Sequence, residues 1–279
     1  NRGQNAKVLK RSIIPPAGHV IIDGDSSQIE ARVLVWLSEE AGLLESFVKG
    51  KYVYKQMASS IYGKPESKII KDERFVGKST ILGCGYGMGA VRFQDQLRAF
   101  GVKISLSEAR RIINVYRSTF GFIKQFWGTA STALDYIHNG SSTTIGVNGL
   151  IEVLPKEHGF LLPSGLVLRY SGLAIEQTEN GQEYFYLRRN GKAKIYGGKV
   201  VENLCQAIAR CIIGEQMLLI AKECKPVITL HDSIAVCARE KDAEDTIDYV
   251  AQCLKYVPSW AKGLPLDCEV GIGDSYGDC

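Results

Sequence analysis

The stretch Val227–Val236 reads VITLHDSIAV. Two apolar runs, VITL and SIAV, flank His231, Asp232 and Ser233. Each run is rich in residues that favour strands, and the polar residues between them mark a turn, so the stretch predicts a β-hairpin. A histidine and a carboxylate at a hairpin tip admit two readings. They form a turn and nothing more, or the tip presents Asp232 for chemistry.

A second strand with acids at its end lies near the start of the chain. HVIIDGD, residues 19–25, is a short apolar run closing on Asp23 and Asp25. If the strand carrying Asp25 neighbours the hairpin, two carboxylates meet at one sheet edge. Paired aspartates are hard oxygen donors suited to Mg²⁺, and two such ions recur in nucleotidyl transfer. The competing reading is that each Asp starts a turn or caps a helix. Glu30 carries the same ambiguity, because Ser27 and Glu30 stand at capping-box spacing.

Between these strands the periodicity is mostly helical. SSQIEARVLVWLSEEAGLLESFVKG, YKQMASSIY, the segment from Lys71 toward Met88, SLSEARRIINVYRSTF and FIKQFWGTASTALDYIHNG each place apolar residues on one face. Two Asn-Gly pairs, Asn180-Gly181 and Asn190-Gly191, then punctuate β-rich runs and predict a three-stranded antiparallel ribbon. VVENLCQAIARCIIGEQMLLIAKE is a further helix, and LDCEVGIG a closing strand. This order gives an α+β fold with strands at both ends and helices between.

In DERFVGKSTILGCGYGMGA, Arg74, Lys78, Leu82 and Tyr86 are spaced by four. That spacing puts them on one broad helix face, where cations suit phosphates and a ring suits a base. A solvated basic face is the alternative. Two motifs in the same segment fail. GKS at 77–79 lacks the upstream glycine of a P-loop, since position 72 is Asp72. GYGMGA fits a dinucleotide-binding pattern, but no alternating βα units follow it.

Bulk properties set wide bounds. The chain has 279 residues, 45% hydrophobic and 23% charged, with a net charge of +4. That is ordinary for a globular protein and permits a nucleic-acid partner without requiring one. Eight cysteines show no metal-binding spacing and sit mostly in apolar runs, which predicts reduced, packed thiols. No apolar run approaches the roughly 18 residues of a membrane span, so no membrane partner is expected. The opening NRGQNAKVLKR has no signal-peptide pattern and reads as the middle of a domain, so a fragment or a processed piece is expected.

Taken in order, three segments resemble the family A DNA polymerases. DSSQIEAR (25–32) is similar to that family's motif A, RFVGKSTILGCGYG (74–87) matches its fingers motif R-x3-K-x7-YG, and HDS (231–233) stands where the family has H-D-E. GKYVYKQMASSIYGKP (50–65) tracks the stretch between the first two motifs. The resemblance implies a polymerase palm with an antiparallel sheet, a helical fingers subdomain and an inserted β-ribbon. It divides the chain into palm (1–38), fingers (39–148), a β-rich insertion (149–200) and palm again (201–279). It implies template-directed 5′–3′ DNA synthesis, with primer-template DNA and dNTPs as partners, in the cytoplasm of the cell or of a viral host.

By the same resemblance Asp25, Asp232 and the backbone of Ser26 hold two Mg²⁺ ions, and Arg74 and Lys78 grip the triphosphate. Tyr86 lies near the templating position, Leu82 beside the incoming sugar, and Glu30 under its C2′, where it excludes a ribose hydroxyl. Gln28 joins the substrate-binding set, His231 sits by the primer terminus, and Gln206 reads the minor groove, with Asn203 three residues before it. Ser26, Tyr54, Leu82 and Ser233 depart from the family pattern. Leu82 in place of an aromatic residue predicts discrimination against dideoxynucleotides. Ser233, with Asp23-Gly24, also imitates single-subunit phage-type RNA polymerases, the nearest alternative; a DNA-binding relic without activity is another. No thumb or exonuclease-like domain is recognised, so a separate chain or a missing N-terminal segment is expected to supply them. Arg169, Arg188, Arg189, Lys192 and Lys194 on the ribbon are either a DNA contact or a solvated surface.

Overall fold

The structure is a computed structural model and describes residues 4–179 and 181–279. The helices are α1 (Gln4–Arg11), α2 (Ile29–Leu37), α3 (Ala41–Val48), α4 (Val53–Tyr62), α5 (Lys71–Cys84), α6 (Ala90–Ala99), α7 (Leu106–Thr119), α8 (Gly121–Asn139), α9 (Gly197–Ile220) and α10 (Ala243–Leu254). The strands are β1 (His19–Ser26), β2 (Thr143–Ile145), β3 (Ile151–Leu154), β4 (Gly159–Leu161), β5 (Val167–Arg169), β6 (Ala174–Thr178), β7 (Gly181–Arg188), β8 (Gly191–Ile195), β9 (Pro226–Leu230), β10 (Ser233–Arg239) and β11 (Cys268–Gly273). Mixed helices and antiparallel sheets make this an α+β fold, as the sequence pattern predicts. The chain packs as two units, one of residues up to Ile29 with Ala209–Cys279, the other of Glu30–Ile208.

The first unit is built on a four-stranded sheet in the order β11-β1-β10-β9. All of its pairings are antiparallel. The expected hairpin is β9–β10, and β1 lies at the centre of the sheet, between β10 and β11. Alternation along β1 divides its side chains between two faces. Ile22 and Gly24 face α10, whose Val250 and Leu254 press against the strand. A Cβ added to Gly24 would stand 2.4 Å from Leu254 Cδ1, so glycine at 24 is what lets helix and sheet close up. Ile21 faces the other way, with Ala235 and Tyr276, and Asp23 and Asp25 share that face.

The second unit carries helices α3–α8, a four-stranded antiparallel sheet β2-β3-β4-β5, and the expected three-stranded ribbon β6-β7-β8. Gly191 turns at φ 117°, a conformation open to glycine, and closes the β7–β8 hairpin. Asn180, expected in the other turn, lies outside the described residues. Ser105 caps α7 by accepting from the Glu108 N–H at 3.1 Å, and α8 stops at Gly140 with φ 77°. The helix expected to run from 26 to 50 is instead broken at Ser38–Glu40. There the Ser38 hydroxyl donates back to the Leu34 carbonyl at 2.7 Å, and Glu39 takes φ 55°.

The interior of this unit includes Phe93, Leu97, Ile112, Ile123, Leu204 and Ile208, each fully buried. Removing such side chains from water stabilises by about 1.5–3 kcal/mol each. All eight cysteines are free thiols, with Cys84, Cys205 and Cys253 buried. Among the described residues no helix is long and apolar enough to cross a membrane.

Candidate active site

In the first unit, β-pairing joins the two aspartates that are distant in sequence. Asp25 lies opposite Ser233 on β10 and opposite Glu269 on β11. One residue on, the Ser26 N–H donates to the Asp232 carbonyl at 3.0 Å. Asp25, Ser26, His231 and Asp232 are therefore one cluster at the end of the sheet. Two non-glycine residues there, Gln28 and His231, adopt the left-handed region at φ 57° and 55°. Such strain costs on the order of 1 kcal/mol per residue and gathers at functional sites.

The electrostatics of the cluster are unbalanced toward negative charge. Burial, then the carboxylates of Asp232, Asp23 and Glu269, push Asp25 up to about 6, against a weaker pull from Lys10. Burial also raises Asp23, opposed by a hydrogen bond from Ser233 and by Lys10. Asp23 Oδ1, Ser26 Oγ and Gln28 Oε1 are buried without a hydrogen-bond partner among the described residues. No sequence motif marks Glu269. Its signal is its place in LDCEVGIG, legible only once β11 is known to pair with β1.

Among the described residues no three His, Cys, Asp or Glu side chains gather so as to hold a metal ion by themselves. The donor set nevertheless fits Mg²⁺, which binds through one or two carboxylates, keeps several waters and shares substrate phosphates. Asp25 and Asp232 would supply those carboxylates, and the raised Asp25 marks charge that a cation would relieve.

In the second unit, α5 presents Arg74, Lys78 and Leu82 on an exposed face at successive turns. Glu73 fixes the start of this helix, accepting from the Ile70 N–H at 3.2 Å and from Lys64. Tyr86 does not continue the face, because α5 ends at Cys84. Gly87 turns at φ 79°, and the Gly85 carbonyl accepts from the Trp127 indole at 2.7 Å. The chain thus leaves the helix, and Tyr86 becomes half-buried. Its phenol is raised well above the ordinary value by burial first, then by Cys205 and Glu30.

Four expected residues from three segments meet in a cavity of about 260 Å³. Glu30, Leu82, Tyr86 and Gln206 all line it, with Gly83, Gly87, Met88, Gly89, Arg92, Gln96, Tyr196 and Glu202. Glu202 lies four residues before Gln206 and so shares its face of α9. Asn203 is engaged elsewhere, donating to the Tyr170 hydroxyl at 2.9 Å. On the ribbon and its approach, Arg169 pairs with Glu157, Lys192 with Glu176 and Lys194 with Glu183. Arg188 donates to the Tyr186 hydroxyl at 2.6 Å. Three of the five cations read as either a DNA contact or a solvated surface are thus already paired with carboxylates.

The pattern of DNA polymerase family A matches residues 1–148. The DNA polymerase of Bacillus phage SP02 is 29% identical over 97% of this chain and 43% of its own length. DNA polymerase I of Borreliella burgdorferi is 28% identical over 99% of this chain and 27% of its own. A solved structure of the POL domain of Pol1 from M. smegmatis, in complex with DNA primer-template and dNTP, superposes at a TM-score of 0.70. It has 18% identity and covers 100% of this chain and 44% of that one. The chain spans less than half the length of these proteins.

Proposed function

The chain belongs to DNA polymerase family A, and from that membership we propose that it carries template-directed addition of dNTPs to a primer 3′ hydroxyl. The observation that carries the proposal is the meeting of Asp25 and Asp232 in one carboxylate cluster whose mutual repulsion and burial outweigh the pull of Lys10. In this reading residues 1–38 and 201–279 are palm, 39–148 fingers and 149–200 an inserted β-rich segment. Thumb and exonuclease-like functions come from a separate chain or from sequence outside these residues, and the protein works in the cytoplasm.

Asp25, Asp232 and the Ser26 carbonyl would hold two Mg²⁺ ions. When bound, the ions supply the Lewis acidity that lowers the pKa of the primer hydroxyl and stabilises charge on the α-phosphate and departing pyrophosphate. Every other role falls to the chain's own side chains. Arg74 and Lys78, fixed on α5, bring positive charge to the triphosphate and need little reorganisation to do so. Tyr86 offers its ring near the templating base, and Leu82 packs beside the incoming sugar. Glu30 fills the space that a 2′-hydroxyl would need, and rejects it by crowding and by desolvation of its carboxylate. Gln28 and Gln206 bind substrate, the latter in the minor groove, and His231 meets the primer end.

Ser233 and Asp23 favour a second reading, an RNA polymerase-like nucleotidyltransferase. Glu30 opposes it, since a ribose-accepting site calls for a small residue there.

The test is magnesium-dependent primer extension by Asp232→Ala. The expected loss exceeds about 10³-fold, equivalent to more than about 4 kcal/mol of transition-state stabilisation. Full activity in that variant overturns the metal-site assignment. Efficient use of NTPs by the unaltered protein favours the RNA polymerase reading. No extension at all of an intact primer-template by the unaltered protein favours a relic.

A further inference from the structure

Tyr54 on α4 is buried, with 8% of its surface exposed. Its ring lies against the two cations of α5. The Arg74 guanidinium carbon is 5.8 Å from the ring centroid, and so is the Lys78 ammonium nitrogen. Both distances fall inside the range over which a ring face attracts a cation. Among the described residues neither Arg74 nor Lys78 forms an ion pair, whereas Lys64, Arg111, Lys192 and Lys194 are each matched to a carboxylate. The helix contact explains the placement. Gly77 lies between Arg74 and Lys78 in sequence, and a Cβ there would stand 2.2 Å from the Tyr54 carbonyl oxygen. Glycine at 77 thus lets the backbone of Tyr54 sit directly against α5, on the helix that carries both cations.

The phenol is pushed up to about 12 by burial, although Arg74 and Arg32 pull it down. The ring is therefore neutral near pH 7, and it attracts cations through its quadrupole rather than through a phenolate.

We propose that Tyr54 is a positioning residue whose ring face holds Arg74 and Lys78 ready for the triphosphate of an incoming nucleotide. The proposal rests on the polymerase reading above. Two like charges one turn apart repel, and both side chains lose rotamer freedom when they grip a phosphate. A ring that attracts both offsets the repulsion and restricts the rotamers before the ligand arrives. The benefit falls on binding, so it belongs in KM and not in kcat.

The experiment replaces Tyr54 in the intact protein by phenylalanine, and then by phenylalanines bearing one to five ring fluorines. Fluorination drains and finally reverses the quadrupole while nearly conserving shape. Primer extension gives kcat and KM for dNTP, calorimetry gives the affinity for inorganic tripolyphosphate, and thermal melting checks the fold. Tyr54→Phe should lie within about 2-fold of the unaltered protein in KM. Across the fluorinated series KM should climb stepwise, by about 3- to 10-fold in total, with kcat steady. Tripolyphosphate affinity should fall in the same order.

A KM and a tripolyphosphate affinity that stay flat across the series overturn the proposal. So does tighter binding as fluorines accumulate, which would show the ring competing with phosphate for the cations. A large loss in Tyr54→Phe alone would move the role to the hydroxyl and likewise overturn it. If the unaltered protein extends no primer while tripolyphosphate affinity still tracks fluorination, the polymerase reading fails and the positioning role stands.

Discussion

Gly77→Ala is the sharpest test of how α5 is held. Alanine is the better helix former by about 1 kcal/mol, so propensity alone predicts a gain in stability. The structure predicts the opposite sign. The new Cβ would lie 2.2 Å from the Tyr54 carbonyl oxygen, 3.0 Å from the Ala58 nitrogen and 3.1 Å from the Ala58 Cβ. The closest of these atoms is backbone inside α4, so no flexible side chain can swing aside. Relieving the clash needs α4 and α5 to part by about 1 Å, which loosens a packed interface and costs roughly 1–3 kcal/mol or more. The net expectation is a loss of up to about 2 kcal/mol, as much as a roughly 30-fold rise in the population of opened forms.

Gly128→Ala supplies the control. Gly128 is interior to α8 and exposed, and an added Cβ would meet nothing within 4 Å. That variant should gain about 0.5–1 kcal/mol. Both substitutions restrict the unfolded chain alike, so the difference between them isolates the packing term. Because the chain has two units, a single denaturation curve is a poor gauge; hydrogen exchange at α4 and α5 amides reads the local free energy. Equal gains from Gly77→Ala and Gly128→Ala would refute the packing argument, and with it the reason given for Tyr54's place beneath Arg74 and Lys78.

Two further predictions concern the carboxylates. Asp25 titrates at about 6 in the fold, against an ordinary 3.8. The folded chain therefore holds this proton more tightly than the unfolded one. The metal-free protein should lose stability as pH rises from 3.8 to 6, and Mg²⁺ should restore it above that window. Carbon NMR of the Asp25 carboxyl in chelator should show a midpoint near 6, lower in Asp232→Asn; a midpoint at the ordinary value would dissolve the cluster argument. Glu30→Ala should raise the ratio of NTP to dNTP insertion by about 10- to 100-fold in single-nucleotide assays, and an unmoved ratio would take Glu30 out of sugar selection.

Local patterns made much of the fold legible. Alternating and apolar runs marked β1, β9–β10 and β11, and Asn-Gly and Gly signals marked the ribbon and the helix ends. What escaped depends on contacts between elements. The break at Ser38–Glu40 needs the Ser38 back-bond and a left-handed Glu39. Tyr86 leaves the α5 face because Trp127, 41 residues on, takes the Gly85 carbonyl. Spacing did contain one answer that went unread. Residues four apart share a helix face, which pairs Gln206 with Glu202, while Asn203 turns aside to Tyr170.

Ser233 shows how a local departure is absorbed by tertiary structure. In HDS the third position brings no charge, so β10 itself adds no carboxylate to that of Asp232 in the turn before it. Its hydroxyl, only 5% of the residue being exposed, instead hydrogen-bonds Asp23. Yet Asp25 is not left in a weak field. β11 brings Glu269 opposite Asp25 on its other side, and Asp23 acts from two residues back along β1. Three carboxylates from three different segments thus press on the one that would hold the metal. A cation bound there would relieve all of them at once, which is why a serine at 233 is compatible with a metal site. The requirement falls on the sum of the charges around Asp25, and a sheet with β1 between β10 and β11 can meet it from either neighbour.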